Sequence, residues 1–191
     1  GKTVLNGFVH LPLVLPPVAV GYFLLVALGR RGLVGGWLYD TFGVSVAFTW
    51  KGAAIAAAVM AFPLMVRAIR LSLENVEQGL ETAARTLGAG RLSVFLRIPL
   101  PLTMPGILAG SVLAFARALG EFGATITFVS NIPGETRTLP IALYSVIQSP
   151  GGEDAALRLL LLSVVLAIAA LAVSELLSRR VAGRASLEHR P

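Results

Sequence analysis

The sequence predicts an all-α, polytopic membrane protein, and three observations predict it. Only 14% of the 191 residues are charged and 55% are hydrophobic, with a mean hydropathy of +0.80. A soluble domain carries about 25% charged residues, so lipid is the solvent this composition fits. The apolar residues come in four long blocks rather than in amphipathic stripes, and roughly 20 apolar residues suffice for a helix to cross the hydrocarbon core. The arginines behind the net charge of +6 flank those blocks. That is the pattern of membrane topology signals rather than of a nucleic-acid surface, so no nucleic-acid partner is expected.

The first block covers residues 8–28 and is interrupted by Pro12, Pro16 and Pro17. A Gly-rich loop comes next, over residues 29–43. The second block runs from 46 to 66, with Trp50 and Lys51 near its start and Pro63 near its end. Its small residues, from Gly52 to Ala58, let helix backbones approach closely and read as a packing face. A polar, helix-forming stretch occupies residues 67–97, and the third block extends from 100 to 129. Residues 130–154 hold Pro133, Gly134, Pro140, Pro150, Gly151 and Gly152, and predict irregular turns around a short apolar piece, 139–147. The fourth block spans 155–177 and a polar, basic tail ends the chain. These blocks predict four membrane helices in a single transmembrane domain over residues 1–191, with residues 67–99 as its cytoplasmic segment. The chain opens on Gly1 without a signal peptide, and is read as lacking an N-terminal piece the size of one membrane helix.

Basic residues orient the chain. With the 67–97 segment and the tail in the cytoplasm, ten fall inside: Lys2, Arg67, Arg70, Arg85, Arg91, Arg97, Arg179, Arg180, Arg184 and Arg190. Five fall outside, namely Arg30, Arg31, Lys51, Arg137 and Arg158, and Arg117 lies within the third block. Two of the outer five lie near helix ends, where a long side chain reaches the interface.

Several chemistries are excluded. There is no cysteine, hence no disulfide, thiolate metal site or cysteine nucleophile. The two histidines, His10 and His189, lie far apart in sequence, so no metal site and no cofactor are expected. No Walker A pattern occurs, so the chain is not expected to bind ATP by itself. Gly-x-Ser-x-Gly and His-Glu-x-x-His are absent, as are paired carboxylates at membrane depth, and no catalytic residue is expected.

The cytoplasmic segment is the most specific feature. Residues 71–95 carry helix formers with Glu74, Glu77, Gln78, Glu81, Arg85 and Arg91, and Gly88 interrupts them. A glycine costs about 1 kcal/mol relative to alanine inside a helix, so Gly88 predicts a helix end followed by a second short helix. Such a knob would gain a small apolar face from Ala83, Ala84 and Leu87. The segment resembles the coupling loop of ABC-importer permeases, whose pattern is Glu-Ala-Ala, then Gly, then nine residues, then Ile-x-Leu-Pro. Ala83, Ala84, Gly88, Ile98, Leu100 and Pro101 fall on it. The usual Glu position holds Thr82, with Glu81 one residue earlier, and that shift turns the carboxylate by about 100° on a helix. The resemblance implies that Glu81, Thr82, Ala83, Ala84, Gly88, Ile98, Leu100 and Pro101 couple to a separate ATPase.

In the third block Arg117 and Glu121 lie four apart and share one helix face. Three readings are open: an internal ion pair that holds the helix or marks its end, a pore or gate that biases passage of an anion, or a wet helix end. Intramembrane ionisable residues are a functional hypothesis by default. Thr125 and Thr127 add hydroxyls that either meet an oxyanion or bond to backbone carbonyls.

Residues 113–128, Leu-Ala-Phe-Ala-Arg-Ala-Leu-Gly-Glu-Phe-Gly-Ala-Thr-Ile-Thr-Phe, and the adjoining 129–140, Val-Ser-Asn-Ile-Pro-Gly-Glu-Thr-Arg-Thr-Leu-Pro, resemble the permease subunits of molybdate ABC transporters. So do residues 10–18, 62–70 and 148–153, and the resemblance covers essentially the whole chain. Sulfate permeases share Arg-Ala-Leu-Gly-Glu; the flanking stretches favour molybdate. The resemblance implies a multi-pass protein of the bacterial inner membrane and a homodimer with the path on its axis. It also implies two ATPase subunits below, a periplasmic or extracellular molybdate-binding protein, and alternating access. The other readings are a sulfate or thiosulfate permease, an intramembrane enzyme using Glu121, and a passive channel.

Overall fold

Consecutive prolines decide the first element. In the computed structural model, which describes residues 1–187, the first apolar block is two helices, α1 (Lys2–Val14) and α2 (Pro17–Leu28), bent by 115°. A residue before proline is pushed out of the α region. Leu15 and Pro16 both precede one, and both are extended, at ψ 145° and 134°. Pro17 then occupies the first turn of α2, where its missing N–H costs nothing.

The expected Gly-rich loop contains a helix, α3 (Leu33–Phe42), closed by Gly43 at φ +67°. The next helix, α4 (Trp50–Glu74), starts later and ends later than the apolar block implied. Thr49 accepts the Gly52 amide at its start (3.4 Å), and Glu135 accepts the Trp50 amide (3.3 Å). At its other end the polar residues from Arg67 to Glu74 prolong the same helix, with Arg70 paired to Glu74 at 2.7 Å. The two short helices α5 (Gln78–Thr86) and α6 (Arg91–Arg97) come after it.

The third apolar block is also broken. It forms α7 (Pro99–Leu119) and α8 (Gly123–Val129), where the sequence suggested one stretch. The apolar piece of the next loop is helical, α9 (Leu139–Ile147), and the last helix is α10 (Glu153–Leu187). Among the described residues every regular element is helical. Arg190 and His189 lie outside the described residues. Among the described residues three helices are long and apolar enough to cross a membrane (Trp50–Glu74, Pro99–Leu119 and Glu153–Val173), and the bent α1–α2 pair makes a fourth if it counts as one span. At 1.5 Å per residue α4 and α7 extend about 37 and 31 Å, against a hydrocarbon core of about 30 Å.

The helices group into two compact units. The first holds Gly1–Pro63 and Phe115–Ile168; the second holds Leu64–Ala114 and, of the described residues, 169–187. The first unit is built around α2 against α8, with Val20, Val46, Ala47, Ala56, Met60, Ala124, Phe128 and Val129 as its buried core. Lipid supplies no hydrophobic drive between helices, so such contacts depend on close packing. Gly21 permits it: a Cβ there would lie 2.8 Å from the Ala124 Cα. Within the small-residue run, Gly52 and Ala56 are buried while Ala54 and Ala58 are exposed. The second unit uses the same device, since a Cβ at Gly106 would collide with Ser72.

Candidate coupling and gating sites

Glycine shapes the knob of the second unit. Gly88 sits at φ +85°, a conformation that L side chains rarely adopt. Its amide bonds to the Arg85 carbonyl (3.0 Å) and the Ala89 amide bonds to the Ala84 carbonyl (3.1 Å). This pair of bonds satisfies the last carbonyls of α5 and reverses the chain in a Schellman motif. Gly90 then precedes α6, which packs on α5, and a single residue, Ile98, separates α6 from α7.

The named coupling residues are all in this unit. Thr82, Ala83 and Gly88 are exposed, and Glu81 and Ala84 are half-buried. Glu81 meets Arg85 at 3.4 Å, one turn on. Ile98 and Leu100 are half-buried and Pro101 is exposed, the last two in the first turn of α7. Beneath them Thr103 is buried, its hydroxyl bonded to the Pro99 carbonyl (2.8 Å). Leu87 is 88% exposed and Leu92 71% exposed, and Leu80 and Phe95 also face outward. Apolar side chains held out of a polar segment make it a candidate contact surface. Leu80, Leu92 and Phe95 were not singled out from the sequence, although apolar residues in so polar a stretch were the available signal.

The gating candidates are in the first unit. Gly120 ends α7, and the Glu121 carboxylate sets the start of α8. One of its oxygens lies 2.5 Å from the Arg117 guanidinium, and the other accepts the Ala124 amide at 2.8 Å. Glu121 is 2% exposed and Arg117 28%. The carboxylate thus joins the last turn of α7 to the first turn of α8, whose free amides favour a negative charge. Thr127 donates to the Gly123 carbonyl (2.8 Å), and Thr125 is buried. Among the described residues no group of three or more His, Cys, Asp or Glu is placed to hold a metal ion.

The turns between α8 and α9 are ordered by polar side chains. Buried Thr136 accepts the Ile132 amide (2.9 Å) and donates to the Ser130 carbonyl (3.1 Å). Asn131 accepts from Arg137 (2.8 Å) and donates to Ser145 on α9 (2.7 Å).

Known proteins share this chain's sequence over nearly its whole length. The family model described as "Binding-protein-dependent transport system inner membrane component" matches residues 1–183. The chain is 66% identical over 179 residues to the molybdenum transport system permease protein ModB of Escherichia coli K12, covering 94% of this chain and 78% of that one. It is 60% identical over 181 residues to ModB of Haemophilus influenzae, covering 95% and 79%. A "Probable sulfate transport system permease protein" of Chlorokybus atmophyticus is 35% identical over 148 residues, covering 78% and 51%.

Proposed function

Because the chain belongs to the family of binding-protein-dependent transport system inner membrane components, we propose that it is the membrane-spanning subunit of an ABC importer that translocates molybdate, and tungstate as an anion of the same class. The observation that carries this reading is the identity of 66% and 60% to two molybdenum permeases, against 35% to a sulfate permease. The chain is a multi-pass inner-membrane protein and a transport subunit rather than an enzyme.

In this proposal two copies of the chain form the path on their common axis, surrounded by lipid. Two ATPase subunits sit on the cytoplasmic side and a binding protein delivers the anion from the other. The residues from Glu81 to Pro101 receive the ATPase. The exposed Leu87 and Leu92 give it an apolar grip, and the Gly88 turn holds α5 and α6 as one body. That body runs into α7 after one residue, Ile98, so a push on it is carried along the chain into α7. At the end of α7 the Arg117–Glu121 pair acts on the gate by holding α8, rather than by binding the anion. Glu121 neutralises the cation at 2.5 Å, and the Thr127 hydroxyl is engaged by Gly123. An oxyanion would therefore meet little net positive charge here.

The test is ATP-dependent uptake of labelled molybdate into proteoliposomes holding the full-length permease, its ATPase and its binding protein, with excess sulfate as competitor. Uptake that survives sulfate is the expected result. Uptake abolished by sulfate moves the protein to the sulfate class, and uptake of neither anion overturns the importer reading.

A further inference from the structure

The helix α3 has a face that stays uncovered among the described residues. Its ten residues extend about 15 Å, half the hydrocarbon thickness, so it cannot cross. Its inner side is fixed: Gly35 is buried against the Leu28 and Gly29 carbonyls, where a Cβ would collide, and Leu38 packs on the core. On the opposite side Leu33 is 95% exposed, and Val34 and Trp37 are exposed with it. At about 100° per residue, positions 33, 34, 37 and 41 occupy one sector of the helix.

Charge and aromatic placement say what meets that face. Arg30 and Arg31 precede α3 and are both exposed, and the Arg30 guanidinium sits 3.9 Å from the centre of the Tyr39 ring. Trp37 and Trp50 are the only two tryptophans of the chain. Both are more than half exposed, both lie in or beside the segment joining α2 to α4, and Lys51 adjoins Trp50. Tryptophan and tyrosine gather at the level of lipid headgroups, and cations there meet phosphate. A short helix with outward Leu, Val and Trp and a cationic base has the composition of an interfacial anchor.

We propose that α3 lies in the plane of the membrane interface, with Leu33, Val34 and Trp37 in the upper acyl region and Arg30 and Arg31 on phospholipid phosphates. The cation–π contact of Arg30 with Tyr39 leaves the guanidinium edge for a phosphate. An anchored α3 fixes the separation of α2 and α4 at this surface, independently of which anion the protein carries.

None of these 191 residues is a cysteine, and any cysteine elsewhere in the full-length permease is first replaced by serine so that only the introduced position takes the label. Val34→Cys, Trp37→Cys and Thr41→Cys are each made in the full-length permease, spin-labelled and reconstituted in phosphatidylcholine/phosphatidylglycerol vesicles. Collision rates with oxygen and with a water-soluble nickel chelate then give each label's depth. Equal depths just below the phosphate level, in the upper acyl region and within about 3 Å of one another, are expected for a helix in the plane. Depths that spread by about 10 Å, the rise over seven residues, mean an inserted helix and overturn the proposal. Nickel-dominated collisions at all three positions mean a face in water or against another protein, and overturn it as well. Arg30→Gln with Arg31→Gln should raise nickel access at all three labels, and unchanged access would remove the phosphate contact from the proposal.

Discussion

The knob around Gly88 and the break around Glu121 both interrupt a helix, and they do so by opposite means. At Gly88 the backbone reverses through its own hydrogen bonds, and the side chains around it face outward. At Glu121 a buried carboxylate replaces a helical bond, and α8 beyond it is packed to 0% exposure at Ala124, Phe128 and Val129. A local device leaves a surface free for a partner. A packed device fixes one geometry within the protein and leaves little for a ligand to touch.

The largest effect should come from breaking the packed device. Glu121→Ala leaves Arg117 without its partner and α8 without its first acceptor. Removing one member of a buried pair costs about 3–5 kcal/mol, and the partial exposure of Arg117 places the loss near 3. The expected outcome is a lower melting temperature in detergent and little uptake. The double variant Arg117→Gln with Glu121→Gln should recover much of the stability, because no buried charge is then left alone. Equal losses in the single and double variants would show that the pair is not the linchpin of this break.

A smaller effect on stability, with a large effect on transport, is expected at the knob. Gly88→Val must hold a β-branched residue at positive φ, at a cost of about 1–2 kcal/mol. The membrane fold should survive while ATPase co-purification and uptake fall about tenfold or more. Gly88→Asn, which tolerates that conformation, should keep most of both. Uptake at the wild-type level in the valine variant would remove the knob from the coupling path.

The smallest effect should come from Glu81→Ala. Its pair with Arg85 is solvent-exposed at 3.4 Å, and such helix pairs contribute about 0.3–0.5 kcal/mol. Stability should be unchanged within error and uptake reduced less than twofold. A loss as large as that of Gly88→Val would mean that the carboxylate itself touches the ATPase, despite its one-residue shift from the family pattern.

These two regions also differ in how far they could be read from the chain. The knob was legible because its logic is local: a glycine inside a polar helical stretch predicts the turn that Gly88 makes, and the spacing to Ile98 and Pro101 needs no tertiary partner. The apolar blocks were legible for a similar reason, since lipid imposes one requirement on every spanning residue. Their ends were not. The polar residues from Arg67 to Glu74 continue α4 because helix propensity, unlike hydropathy, does not change at the membrane surface. The glycines of residues 29–43 suggested a loop, yet Gly32 and Gly35 are what allow α3 to fold back against the end of α2.

The sequence by itself determined that the protein is helical and membrane-embedded, that a polar knob interrupts its apolar blocks, and that Arg117 and Glu121 are within reach of each other. Each of these comes from composition or from contacts between near neighbours. Tertiary structure alone decided that α7 stops at Leu119, that α8 is buried against α2 through Gly21, and that the second Glu121 oxygen serves Ala124. Those outcomes depend on which backbone a distant glycine lets in, and that fit between surfaces is not written in the spacing of either partner.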